Sequence, residues 1–246
     1  MMALAGMASA GTEIDTLWTI DFGSEHEGGY KITAGSYTGF SLTGKWGLND
    51  YRQVSGGVLT GAVVNGKNED GTDKVEKDRI HLQNSSEKGM GITWADNFQL
   101  TVTFTLPESN VSASNDWPVI AAIEPDSLRF GPYLADGNKV YFDGNLTDKT
   151  TSSTFTLGSG IHTAVMSKVG TNLSLVIDGK DVATATWTGA TSGTIQNITL
   201  GGGTGGNYRI NSTMHSVSVA KIVPEPTTAT LSLLALAGLA ARRRRK

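Results

Sequence analysis

Between His162 and Trp187 three strands follow one another almost without linkers. Thr163 to Val169 is a β-prone run, Gly170-Thr171-Asn172 is a turn, and in Leu173 to Ile177 the residues Leu173, Leu175 and Ile177 alternate with polar or smaller ones. Asp178-Gly179 then turns the chain into Lys180 to Trp187, where Ala183, Ala185 and Trp187 alternate. An Asp-Gly pair between alternating runs is a two-residue hairpin signal, because both residues accept positive φ. Period-two alternation gives each strand one apolar and one wet face, and an antiparallel meander of this kind must bury the apolar face against something else.

The remainder of the chain from Gly11 to Val223 repeats the theme. Short β-prone runs are separated by Gly, Asn, Asp and Ser, and helical periodicity is nowhere sustained. Phe98, Leu100, Val102, Phe104 and Leu106 alternate with Gln99, Thr101, Thr103 and Thr105 until Pro107 stops the run. Further candidate strands are Leu17 to Phe22, Val58 to Val64, Arg79 to Leu82, Val119 to Ile123, Ser127 to Phe130, Lys139 to Phe142 and Thr154 to Leu157. Their number and spacing predict an all-β sandwich of two antiparallel sheets. With no cysteine in the chain, such a fold relies on its core and uses neither disulfides nor thiolate metal sites. Residues 23 to 97 hold the weakest strands.

The meander and its sequel resemble a laminin-G-like, concanavalin A-like domain. The residues that carry the likeness are His162-Thr-Ala-Val-Met-Ser-Lys, then Leu173-Ser-Leu-Val-Ile-Asp178-Gly179-Lys180, then Ile198-Thr-Leu-Gly201-Gly202, and a closing strand from Met214 to Ile222. The resemblance implies a jelly roll of 12 to 14 strands, the family's usual size. It leaves function open, since lectins, adhesion modules and glycosidases share the fold. Laminin-G relatives sometimes hold one calcium at the sandwich rim, with ligands that find no residue-by-residue counterpart here.

Catalytic motifs find little support. Glycosidases of this fold need two carboxylates on one face, and the nearest match, Glu124-Pro125-Asp126, lacks a third member because Leu128 and Arg129 follow. It reads as a turn. The acidic stretch Asn68-Glu69-Asp70-Gly71-Thr72-Asp73, with Glu76 and Asp78, is interleaved with Lys67, Lys74 and Lys77 and fits no calcium loop. His26, His81, His162 and His215 are scattered without metal-ligand spacing, and His162 reads as a structural strand-edge residue. Gly201-Gly202-Gly203-Thr204-Gly205-Gly206 contains a G-x-G-x-x-G pattern but lacks the following helix whose N-terminus would hold phosphate. It reads as a loop, of the glycine-rich kind that on a jelly roll often lies beside the binding face, and so is of interest as a rim. No catalytic residue and no metal ligand is assigned.

Aromatic residues supply the binding signal. Sugar rings stack their C–H faces on exposed Trp or Tyr beside polar groups. Trp46 and Trp117 lie in turn-like sequence and are the candidate ligand contacts, packing against a loop being the alternative. Trp18, Trp94 and Trp187 sit in or beside apolar runs and belong to the core.

The two ends of the chain have a different character. Met1 to Ala10 is small and apolar, with Ala8-Ser9-Ala10 in the form of a signal-peptidase site, and reads as the remnant of a signal peptide. At the other end Pro224-Glu225-Pro226 precedes the uncharged run Thr227 to Ala241 and the basic block Arg242-Arg243-Arg244-Arg245-Lys246. As a helix the run would span roughly 22 Å, and the cations would hold its end in the cytoplasm. This order resembles the PEP-CTERM sorting signal of exported bacterial proteins. The resemblance implies a membrane-embedded exosortase as partner, processing at Pro224-Glu225-Pro226, and delivery to the surface or to exopolysaccharide. Without the basic block the chain retains 15 Lys+Arg against 23 Asp+Glu, about −8, which excludes an electrostatic footprint for nucleic acid.

The expected organisation is therefore a signal-peptide remnant at 1–10, a jelly-roll domain at 11–222 and a sorting segment with a short hydrophobic helix at 223–246. The expected function is a non-catalytic surface module that binds polysaccharide, glycoprotein or other matrix components. The alternatives are a glycoside hydrolase-like enzyme on the same fold and a purely structural matrix protein.

Overall fold

A computed structural model describes residues 12–21, 31–33, 41–42, 58–59, 63–67, 73–76, 80–83, 89–106, 117–124, 128–147, 150–202, 210 and 212–224. These form two antiparallel sheets and one separate hairpin. The larger sheet runs in the order β15 (Lys180–Thr186), β14 (Asn172–Ile177), β13 (Gly160–Val169), β8 (Phe98–Leu106), β17 (Ser212–Pro224), β1 (Thr12–Asp21) and β2 (Lys31–Thr33), with β4 (Val58–Leu59) also on β17. The other sheet runs β12 (Thr150–Thr156), β11 (Lys139–Asp143), β10 (Leu128–Tyr133), β9 (Ala121–Glu124), β16 (Asn197–Leu200), β7 (Ile80–Gln83) and β3 (Ser41–Leu42). The hairpin pairs β5 (Val63–Lys67) with β6 (Asp73–Glu76).

The predicted two-sheet sandwich is thus present, with no α-helix among the described residues and one 3-10 turn at Leu134–Asp136. The expected run Val58 to Val64 divides between β4 and β5. The expected strand Leu17 to Phe22 begins earlier, at Thr12, because β1 follows β17 to its end.

The core lies where the inward faces of the two sheets meet. In β8 the alternation holds along the whole strand, with Phe98, Leu100, Val102, Phe104 and Leu106 buried and the intervening residues half-buried. The facing sheet contributes Ile123, Leu128, Phe130, Val140, Phe142, Ile198 and Leu200. Trp18 closes one side and donates its indole N–H to the Met90 carbonyl at 2.8 Å, so its single polar group is satisfied in the interior. Trp94 and Trp187 stack at 4.5 Å between ring centres, with Trp187 donating to the Ala190 carbonyl at 2.8 Å. All three are core residues, as expected.

The meander forms as read. Asp178 and Gly179 take positive φ, 52° and 73°, and join β14 to β15. His162 bonds at both ring nitrogens: Nδ1 lies 2.8 Å from Asp178 Oδ2 and Nε2 lies 3.0 Å from the Gly158 carbonyl. The other Asp178 oxygen accepts the Thr163 N–H at 2.9 Å. The His162–Asp178 pair ties the start of β13 to the hairpin turn, a structural role.

Among the described residues, buried charge lies at the edge of the core beside Trp94. Lys168 is 4% exposed and donates to the Trp94 carbonyl at 2.7 Å and to the Asp96 carbonyl at 3.3 Å. Burial pushes its ammonium below the ordinary lysine value, against the pull of nearby Asp96. Burial also acts to raise the Asp96 carboxyl, but the Thr93 N–H and hydroxyl and the Lys221 ammonium outweigh it and hold the group below the usual carboxylate range.

Candidate functional site

The outward face of β10 carries Arg129, Gly131 and Tyr133, alternating with Leu128, Phe130 and Pro132, which are buried. The register sets Arg129 opposite Asp143, Gly131 opposite Tyr141 and Tyr133 opposite Lys139. One row of outward side chains therefore spans β10 and β11, with about 7 Å between successive pairs along the strands.

Glycine at 131 has a specific cause. A Cβ there would lie 1.9 Å from the Pro118 carbonyl oxygen, so the backbone of Trp117 and Pro118 crosses directly over this position. Tyr141 fixes the crossing from beneath. Its hydroxyl lies 2.9 Å from the Pro118 carbonyl and 3.1 Å from the Trp117 carbonyl, one donor shared by two acceptors. Val119, Ala122 and Tyr141 form a small buried cluster on this side of the sheet, with Tyr133 packed against it.

That crossing presents Trp117. Its ring stacks on Tyr133 at 3.9 Å between centroids and 19° between planes, and meets Tyr141 edge-on at 5.1 Å and 77°. The side chain remains 38% exposed. An indole supported from below by one ring and braced at its side by another is a rigid, flat, partly wet apolar surface. Four residues along β10 from Tyr133 and two along β11 from Tyr141, Arg129 and Asp143 pair at 2.8 Å, and the other Asp143 oxygen accepts the Gly144 N–H at 2.8 Å. Both side chains keep partial access to solvent, 22% and 15%. Aromatic surface and hydrogen-bonding groups thus share one face, which suits a polyhydroxylated ring.

Of the two tryptophans expected to contact a ligand, Trp117 is on this face, and Trp46 lies outside the described residues. Sequence reading missed Tyr133, Tyr141, Arg129 and Asp143. Period-two alternation of Arg129, Gly131 and Tyr133 was the available signal for three members of the row. Glu124 occupies the end of β9, and Pro125 and Asp126 lie outside the described residues. Gly201 and Gly202 are buried, with the Gly201 N–H bonded to the Ile120 carbonyl at 2.9 Å; residues 203–209 of that loop lie outside the described residues. Among the described residues no group of three or more His, Asp or Glu is placed to hold a metal ion.

A second concavity of about 550 Å³ opens at the far end of the meander, lined by Thr147, Asn172, Ser174, Thr184 and Thr186 around Val169 and Leu173. None of the described residues that line it is titratable.

β17 continues in register with β1 as far as Pro224, and residues 223–246, which begin on its last two positions, match the PEP-CTERM protein-sorting motif. The chain carries a PEP-CTERM sorting signal. Glu225, Pro226, the apolar run 227–241 and the block Arg242-Arg243-Arg244-Arg245-Lys246 lie outside the described residues, as do residues 1–10; among the described residues no helix is long and apolar enough to cross a membrane.

No curated protein matches the chain. Among solved structures, domain 4 of AbnA, a GH43 extracellular arabinanase from Geobacillus stearothermophilus in complex with arabinotriose, is similar with a TM-score of 0.52 and 14% identity over 89% of this chain and 98% of that one. The Caenorhabditis elegans galectin LEC-6 gives 0.39 at 16% identity, over 65% of this chain and 95% of the galectin. A Trypanosoma rangeli sialidase gives 0.43 at 16% identity over 58% of this chain, which spans only 24% of the sialidase's length. At 14% identity the likeness to the arabinanase domain is one of fold.

Proposed function

We propose that this protein is a non-catalytic module of the cell surface or extracellular matrix that binds polysaccharide through the Trp117 shelf. The sorting signal marks the chain for export and for processing at the membrane, with an exosortase-type enzyme as the partner that handles Pro224-Glu225-Pro226. Orientation follows from the five terminal cations, which hold that end in the cytoplasm while the sandwich stands outside.

One observation carries the binding reading: Trp117 is 38% exposed yet stacked on Tyr133 and held by Tyr141. An aromatic ring packed merely to fill space would be covered. One that is braced and left open has its entropy cost already met when a sugar face arrives. Arg129 and Asp143, two register pairs along the strands from Tyr133, supply donors and acceptors for ring hydroxyls. Glycoside hydrolysis would need a second carboxyl about 5 to 9 Å away across a groove, one acting as acid. Asp143 is instead tied to Arg129 and Gly144, an arrangement that favours recognition over proton transfer.

Glycan-array binding by the purified protein, with and without calcium, tests the reading. Binding to neutral polysaccharide without sugar release supports it. Release of reducing ends would restore the glycosidase reading, and no binding at all would leave a purely structural matrix protein.

A further inference from the structure

The terminal ladder between β1 and β17 overlaps the sorting signal. Thr12 lies opposite Pro224, Glu13 opposite Val223 and Ile14 opposite Ile222, and the matched motif begins at residue 223. On its other side β17 is paired with β8 only as far as Lys221, and the Ile222 N–H bonded to the Asn97 carbonyl at 2.9 Å closes that side. Among the described residues, Val223 and Pro224 are consequently held by β1 alone.

Two features make this end separable from the rest of the sandwich. The register shifts between Thr16 and Trp18, so a bulge divides the ladder into an inner part and an outer part. Inside the bulge Trp18, Ile20, Val217 and Val219 are fully buried. Outside it Ile14 is 53% exposed and Val223 41% exposed, so main-chain pairing is held there with little apolar burial. The apolar run begins at Thr227, only three residues beyond Pro224, a reach of roughly 10 Å. A membrane-embedded enzyme therefore meets Pro224 while it is still part of the sheet.

Enzymes that act on extended chain segments pair with the segment's main chain. At Val223 one edge is occupied by β1, and Pro224 has no N–H to offer on either. We propose that Thr12–Thr16 against Ala220–Pro224 is a latch that withholds the head of the sorting signal until the outer ladder opens at the bulge. Since β1 and β17 are the first and last strands described, the latch also makes processing report on closure of the fold. This inference rests on the reading that the tail is processed at the membrane.

The test is pulse–chase of tail loss for the full chain in an exporting cell that contains the processing enzyme. The chain has no cysteine, so Glu13→Cys with Val223→Cys installs a single cross-link across one register pair. Cross-linking should slow tail loss about tenfold or more, by removing an open state populated at the per cent level, and reductant should restore the rate. Asp15→Pro, at an exposed position that lies opposite Lys221 and whose N–H faces β17, removes a main-chain bond of the outer ladder and should speed it about threefold while the sandwich stays protease-resistant. A cross-linked chain processed at the wild-type rate would overturn the latch alone, as would an Asp15→Pro chain processed no faster. Failure of the pair to cross-link would overturn the register on which the latch depends. Wild-type chain that keeps its tail would overturn the processing reading and the latch with it.

Discussion

Asp178 shows how much one side chain can hold in this fold. It tolerates the left-handed turn at φ 52°, accepts from His162 and caps the Thr163 N–H. Burial acts to raise its carboxyl, yet the His162 and Thr163 bonds and the charges of His162 and Lys180 hold it below the ordinary value of 3.8. A carboxyl lowered in the folded state binds fewer protons there than when unfolded, so its stabilisation is complete above the unfolded value and is lost as pH falls through the lower folded one. Asp96 is lowered as well and acts in the same direction. Urea unfolding should therefore show stability falling from about pH 4 downwards. Asp178→Asn, which keeps a residue suited to the left-handed turn, should cost about 1 kcal/mol at neutral pH and flatten part of that acid loss. An unchanged acid profile in the variant would show that the pair contributes nothing.

The outward row of β10 and β11 is where element geometry creates the site. Gly131→Ala would set a Cβ against the Pro118 backbone, an atom that no side-chain rotation can move away. It should cost about 1 to 3 kcal/mol by overpacking and displace the Trp117 shelf. Ligand binding should therefore weaken in a protein that still folds, as calorimetric titration beside thermal unfolding would reveal. In β8, Phe104→Ala should cost about 3 to 5 kcal/mol in chemical denaturation, because the ring is fully buried between the sheets. The contrast marks what was legible in the chain. Strands β8, β13, β14 and β15 were readable since alternation, Asp-Gly and flanking glycines agree locally. The shelf was not, because Tyr141 meets Trp117 across 24 residues and through a backbone crossing that no periodicity encodes. Trp117 itself was found through its turn-like surroundings, without the two tyrosines that make it a platform.

For the whole molecule, the sandwich and the sorting signal are parts of one design, since the closing strand of the first supplies the opening residues of the second. The sequence boundary between 222 and 223 appears as a change of composition; β17 crosses it because main-chain pairing with β1 does not depend on side-chain type. Replacing Pro224-Glu225-Pro226 by alanines should leave the sandwich folded and trap the full-length chain in the membrane, as fractionation would report. On the proposed reading the domain is held outside the cell with the Trp117 shelf available to matrix polymer. The most direct measurement is affinity electrophoresis of the wild-type protein and Trp117→Ala through gels containing neutral polysaccharides. Retardation of the wild type by at least one polymer, lost in Trp117→Ala with thermal stability unchanged, is the expected result. Equal retardation of the two proteins, or none of the wild type by any polymer, would contradict the account.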